Sequence, residues 1–254
     1  MLTSVDILGV RVHSGPTDDV ISHIDGRMRA GPGLRVAFLN AHLSNQCARD
    51  PAMQRGLRSF LVLNDGVGVD LARRLLYGAK FRQNLNGTDF ITAFLDRTTA
   101  NLRIFLLGAH ADVVAQAAGR LDREWPRHEV VGFHHGFLDG TDEEALAELI
   151  SRTRPDLMLV GMGNPRQEQW IARHIPDVSP CAMATGAWFD FYSRSIPRAP
   201  RWVRAMRAEW VYRLCREPRR LAGRYLVGNG VFLVRLARCW LTRSVRSRAG
   251  DNSR

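Results

Sequence analysis

Two short runs of residues carry the chemistry of a reaction site. The first is Asn64-Asp65-Gly66-Val67-Gly68, directly after the apolar run Phe60-Leu61-Val62-Leu63. A carboxylate at a strand end, beside glycines that let a ligand approach the backbone, suits a general base. The plainer account is an Asp-Gly turn with Asp65 capping the next helix. The second run is Gly161-Met162-Gly163-Asn164-Pro165-Arg166-Gln167-Glu168, after Asp156-Leu157-Met158-Leu159-Val160. Backbone N–H groups at a helix start there could hold a phosphate or a sugar hydroxyl. Pro165 by itself is what an ordinary helix start would show, but Gln167 and Glu168 are more polar than that requires. The spacing matches neither G-x-G-x-x-G nor G-x-x-x-x-G-K-[ST].

Other chemistries find less support. His134-His135 are adjacent, point different ways and have no nearby Cys or His to complete a set, so no metal is expected there. No D-x-D pair follows a strand. A metal-independent enzyme that releases a diphosphate would need cationic groups instead, and an arginine-rich tail could supply them. There is no G-x-S-x-G elbow. Cys47, Cys181, Cys215 and Cys239 are widely spaced, which predicts reduced thiols rather than disulfides or zinc. No cofactor is expected.

The elements that must position these residues alternate. Strands are predicted at 34–39, 60–63, 102–107, 129–133, 156–160 and 181–184. Helices are predicted at 18–29, 69–77, 89–98, 111–124, 142–152 and 166–174, with Thr141 as a cap for the fifth. Short apolar strands separated by such helices imply βαβ units: an α/β fold with a mainly parallel sheet flanked by helices. Ligands bind such sheets at the carboxyl ends of the strands. That rim would hold Asn40, Asp65, Gly108, Gly161 and Gly186.

The charge is uneven. The chain has 254 residues, 45% of them apolar, and a net charge of +11. From Arg194 onward there are 16 arginines against three acids (Glu209, Glu217, Asp251), a net of +13, which leaves −2 for the rest. Residues 1–193 therefore read as a near-neutral α/β catalytic body. Residues 194–254 read as a basic helical appendage, marked off by Ile196-Pro197-Arg198-Ala199-Pro200. In it Trp202, Val203, Met206, Trp210, Val211 and Leu214 recur at helical spacing. Such an appendage could meet nucleic acid, anionic lipid or a phosphorylated substrate.

The body is not basic and no nucleic-acid fold signature appears, so nucleic acid is disfavoured as a partner. A nucleic-acid-binding protein acting through the tail and a non-catalytic sugar-nucleotide-binding protein remain the rival classes. The start Met1-Leu2-Thr3-Ser4-Val5-Asp6 predicts no secretory signal, and no window reaches the ~20 apolar residues of a spanning helix. An amphipathic segment from Tyr225 to Leu241 could instead lie on an anionic leaflet, with Leu226, Val227, Val231, Phe232, Leu236, Trp240 and Leu241 entering the interface.

Taken in order, these pieces resemble the WecG/TagA/CpsF glycosyltransferase family from about Leu34 to Tyr225. The matching residues are Asn40; Asn64 to Gly68; Gly87-x-Asp89; Phe105-Leu106-Leu107-Gly108; Gly136-Phe137; Gly161 to Glu168; Gly186-Ala187-Trp188-Phe189-Asp190; Arg198-Ala199-Pro200; Glu209-Trp210; Arg213; Glu217-Pro218-Arg219-Arg220; and Arg224-Tyr225.

The resemblance implies a Rossmann-like core and an inverting, metal-independent transferase. Its donor would be a UDP-sugar and its acceptor a sugar on a polyprenyl diphosphate. The setting would be the cytoplasmic face of the cytoplasmic membrane, in cell-surface polysaccharide synthesis. It implies Asp65 as base, Asn40 and Gln167 at the donor, and Arg213, Arg220 and Arg224 in a closing appendage. Gly66, Asn86, Asp89, Gly108, Gly136, Gly163, Pro165, Glu168 and Asp190 complete the expected substrate-binding set. Where the family often has Thr-Pro-Asn, this chain has Phe38-Leu39-Asn40. Where it often has Arg-x-Thr-Gly, this chain has Asn84-Leu85-Asn86-Gly87. The donor is therefore left open among N-acetylmannosamine-type, uronic acid and hexose, and a homo-oligomer is allowed.

Overall fold

The structure is a computed structural model that describes residues 2–31, 33–175, 181–200, 202–203 and 209–251. Six strands run parallel, as their apolar runs predict: β3 (Arg35–Leu39), β4 (Phe60–Asn64), β5 (Arg103–Gly108), β6 (Glu129–His134), β7 (Leu157–Gly161) and β8 (Cys181–Ala184). Two further strands were not foreseen. β1 (Thr3–Ile7) and β2 (Val10–Ser14) form an antiparallel hairpin around Leu8-Gly9, both at positive φ, and β2 adds to β4 in parallel. The sheet order is β1-β2-β4-β3-β8-β7-β5-β6.

The strands β4, β7 and β8 are buried along their whole length, which explains why they are continuous apolar runs rather than alternating ones. Successive residues still serve opposite faces. Val36 and Phe38 of β3 join one core, while Ala37 and Leu39 join the other. The first core is covered by α1 (Thr17–Ala30), α5 (Gly87–Arg97), α6 (Ala111–Glu124) and α9 (Trp188–Tyr192). The second is covered by α2 (Ala41–Arg49), α3 (Pro51–Gly56), α4 (Val67–Tyr77), α7 (Gly140–Thr153) and α8 (Arg166–His174). Helix α7 begins one residue ahead of its expected cap, Thr141, which lies inside the helix.

The tail is helical: α10 (Glu209–Arg216), α11 (Pro218–Ala222), a π-helical turn at Gly223–Val227 and α12 (Gly228–Asp251). Met206 lies outside the described residues. Helix α12 packs on α2 and α4. Asn45 donates to Gly228 O at 2.7 Å, and Arg235 donates to Ser44 O at 2.9 Å and Asn45 Oδ1 at 2.8 Å.

The sequence reading placed Phe232 and Leu236 among the interface-entering residues. They are 1% exposed and belong to the second core, so they face the body and not a lipid. Between Leu226 and Leu241 the exposed large apolar residues are Leu226, Val227, Leu233, Val234, Trp240 and Leu241, pairs repeated every seven positions. Val67, Leu71 and Leu75 make a second exposed stripe on α4. Among the described residues no helix is long and apolar enough to cross a membrane.

Candidate active site

Asp65 sits where β3 and β4 stop. Its N–H donates to Leu39 O at 2.9 Å, extending the parallel ladder by one residue and setting Asp65 beside Asn40. Asn40 caps α2 through its Oδ1, which accepts from Leu43 N at 2.9 Å. That bond turns the Asn40 amide NH₂ towards the site, where the side chain hydrogen-bonds Asp65 and its Nδ2 lies 3.4 Å from Asn164 Oδ1. Gly66 follows at φ +86°, a left-handed conformation that costs glycine little, and its N–H is held by Asn84 Oδ1 at 2.9 Å. The backbone on both sides of the Asp65 side chain is thus fixed, and Asn40 meets the carboxylate itself. It is not the cap of α4, since that helix has no side-chain cap bond and its N-cap is Gly66.

Asp65 is half-buried, and burial pushes its carboxyl up to about 6. The hydrogen bond from Asn40 and the charges of Arg224 and Arg213 pull it down, while Glu209 pushes it up. Two arginines of the basic tail are therefore within electrostatic reach of the strand-end carboxylate. A base with a value near neutrality, next to fixed cations, suits proton abstraction coupled to departure of an anion.

A second cluster occupies the ends of β7 and β8. Gln167 is buried, and its Oε1 accepts from Gly163 N at 3.2 Å and Gly186 N at 3.0 Å, tying the two strand-end loops together. Pro165 is the N-cap residue of α8 and follows a cis peptide. Glu168 accepts from Asn164 Nδ2 at 2.5 Å and from Gln167 Nε2 at 2.8 Å. Burial pushes its carboxyl up to about 7, against those hydrogen bonds and the charge of Arg224. Asn164 Oδ1 lies 3.4 Å from Arg224 Nη2. Asn40 after β3 and Asn164 after β7 meet across the end of the short strand β8, and Arg224 comes down on them from the tail.

Further along the rim, backbone meets backbone. Ala109 N donates to Gly161 O at 3.1 Å and Gly136 N to Ala109 O at 3.0 Å. A β-carbon on Gly108 would stand 2.3 Å from Gly161 O, so only glycine fits. Gly108 and Gly136 thus shape the rim, and the exposed rings of His110 and Phe137 stand beside them with centroids 4.5 Å apart. His134 Nδ1 bonds its neighbour's carbonyl, and among the described residues no group of three His, Cys, Asp or Glu side chains could hold a metal ion.

Asn86 and Asp89 take a supporting place. Asn86 caps α5 by accepting from Asp89 N at 3.0 Å, and its Nδ2 donates to Asp89 Oδ2 at 2.9 Å. Asp89 Oδ1 accepts from Arg198 Nη1 at 2.7 Å, and Arg198 reaches on to Glu209 at 3.4 Å. Arg198 and Arg213 both lie over the Phe191 ring. Asp190, half-buried on α9, contributes its carbonyl to Ile196 N at 3.0 Å. The Arg220 side chain lies outside the described residues.

Asn164, Asn84, Arg198 and Glu209 complete the constellation and were not singled out as site residues. Glu209 had one visible signal: an isolated acid in an arginine-rich segment needs a reason.

Arg198→Met should detach the root of the tail from α5. The expected result is a kcat about tenfold lower through misplacement of Arg213 and Glu209. The two partly exposed ion pairs of Arg198 are worth about 1 kcal/mol each at most, so the melting temperature should fall by several degrees at most. Parallel turnover and thermal-melt measurements check both.

A cavity of about 1000 Å³ opens at the opposite end of the strands, lined by Leu34, Leu102, Asp156 and Cys181 at the strand starts. None of the residues above lines it.

Comparison with known proteins gives the family. The chain is 29% identical over 205 residues to an N-acetylglucosaminyldiphosphoundecaprenol N-acetyl-beta-D-mannosaminyltransferase of Bacillus spizizenii, covering 79% of this chain and 78% of that protein. It is 30% identical over 239 residues to a protein of the same name from Staphylococcus aureus strain MW2, covering 92% of each. The model of the glycosyl transferase WecG/TagA/CpsF family matches residues 5–246, and the chain is a glycosyltransferase belonging to that family.

Proposed function

We propose that this chain moves a sugar from a UDP-sugar onto a sugar carried on a polyprenyl diphosphate, with inversion and without a metal. The observation that carries the reading is the convergence of Asp65, Asn40, Arg224 and Arg213 at one end of the sheet. Asp65 accepts the proton of the acceptor hydroxyl as its oxygen bonds to the anomeric carbon. The bond from that carbon to the diphosphate breaks, and UDP leaves with the electron pair. Arg224 and Arg213 offset the charge that grows on it. The relatives' names point to an N-acetylmannosaminyl group as donor and N-acetylglucosaminyl-diphosphoundecaprenol as acceptor. A UDP-release assay over a panel of UDP-sugars, with a short polyprenyl-diphosphate-sugar acceptor, tests this. Release with none of them sinks the reading, and retention of configuration in the product sinks the inverting mechanism.

The reading divides the chain into a catalytic body, residues 1–193, and an appendage, 194–254, that works at the inner face of the cytoplasmic membrane. Its support is the exposed apolar pairs on α12 in a segment dense in arginine. Each arginine near an anionic leaflet adds about 1 kcal/mol of attraction. The double variant Leu233→Glu with Leu241→Glu should be released from vesicles containing phosphatidylglycerol. It should keep its melting temperature, because both side chains are exposed. Full retention on those vesicles would count against membrane contact by this face.

A further inference from the structure

We propose that Glu168 is the positioning residue that fixes which atoms Asn164 and Gln167 present to the site, and thereby seats Arg224 beside Asp65. This rests on the reading just given. Glu168 is 2% exposed, so it is a poor candidate for touching a substrate. Ionised, or carrying its proton on Oε2, the carboxyl offers Oε1 only as an acceptor. Both neighbouring amides must then turn their NH₂ groups to its Oε1, at 2.5 Å for Asn164 and 2.8 Å for Gln167. The amide oxygens consequently point away. That of Gln167 meets the N–H groups of Gly163 and Gly186, and that of Asn164 meets Asn40 Nδ2 and Arg224 Nη2. A flipped Asn164 would set donor against donor at both Asn40 and Arg224.

The other oxygen, Oε2, is buried and makes no hydrogen bond. A buried acid with one orphan oxygen is a poor purely structural choice, since a well-packed apolar residue would cost less. Its place is explained if the acceptor at Oε1 orders the amides through which the tail engages the body.

The test uses the full chain, the UDP-sugar that supports release and the lipid-linked acceptor. Glu168→Leu keeps the volume and removes the acceptor, and should lower kcat about 30-fold with donor KM changed less than about threefold. Glu168→Gln still offers an Oε1 that can take both bonds and should recover most of that loss. In an Arg224→Ala background, Glu168→Leu should cost no more than about threefold further, because its route of action is gone. Losses that multiply in the double variant, a Gln variant as impaired as the Leu variant, or a change confined to KM would each overturn the inference. If the Leu variant does not fold, Asn164→Ala takes its place with the same expected coupling to Arg224. No release by the unmodified chain overturns the underlying reading together with this inference. An active chain with an unaffected Leu variant overturns this inference alone.

Discussion

Asp65→Asn should lower kcat by about 10²–10⁴-fold while leaving the donor KM nearly unchanged. The substitution keeps the shape and the hydrogen bond to Asn40 but removes the only function that requires a charge, acceptance of the acceptor's proton. Because burial holds the Asp65 carboxyl up to about 6, the kcat of the unmodified chain should rise with pH through that region as the base ionises. The variant's residual rate should lack that limb. Steady-state kinetics at several pH values check both, and turnover near the unmodified rate would remove Asp65 from the role.

The same substitution should stabilise the fold at alkaline pH. The carboxyl's folded value, about 6, lies above the ordinary carboxylate value, so its contribution to stability is complete below about 4 and is lost as pH rises through about 6. Ionising a half-buried acid in the folded state then works against folding at pH 8. Asp65→Asn removes that cost, on the order of 1 kcal/mol once screening by the water that reaches the group is allowed for. Its melting temperature relative to the unmodified chain should be higher at pH 8 than at pH 5. A site that gains stability when it loses its charge has kept that charge for function.

Much of this arrangement was legible in the sequence, and the reasons differ by element. Strands β3, β4, β5, β7 and β8 announced themselves because a parallel strand buried on both faces must be almost wholly apolar, and Leu157-Met158-Leu159-Val160 has no other easy explanation, while the edge strand β6 showed only through Val130, Val131 and Phe133. The hairpin β1–β2 did not. β1 is an edge strand with four of its five residues exposed or half-exposed, so its composition, Thr3 to Ile7, carries little apolar signal. Helix α2 was hidden for another reason. Its buried positions include Ser44 and Asn45, which are polar because they take Arg235 from α12, a partner almost 200 residues away.

The site showed the same split. Asp65 stood out as a polar group at a strand end and Gln167 as one at a helix start. The pairing of Asn164 with both Asn40 and Arg224 depends on three distant segments converging, and no local pattern encodes that. The face that α12 turns inward was misjudged because Phe232, Leu236, Leu233 and Val234 are all apolar. Periodicity gives a stripe its width but does not say which side meets protein.

Arg224→Ala should cost kcat about 10²–10³-fold, the scale of removing one group that stabilises charge in a transition state. Deleting the whole tail is the blunter experiment and a poorer one. It would also remove Phe232 and Leu236 from the second core, each worth about 1.5–3 kcal/mol of burial, and uncover α2 and α4. The point variant leaves that packing in place. Its pH dependence carries a further signature. Arg224 lowers the Asp65 and Glu168 carboxyls by its charge, so without it both should titrate at higher pH, and the acid limb of kcat should move to the alkaline side. Arg224→Lys keeps a positive charge but loses the planar fork. It should restore the position of the limb more fully than the rate. A rate loss in Arg224→Ala with the limb unmoved would mean that Arg224 acts on the leaving diphosphate without sensing Asp65. A moved limb with little loss of rate would reverse the assignment, leaving the arginine as a tuner of the base and requiring another cation, Arg213, to hold the departing phosphate.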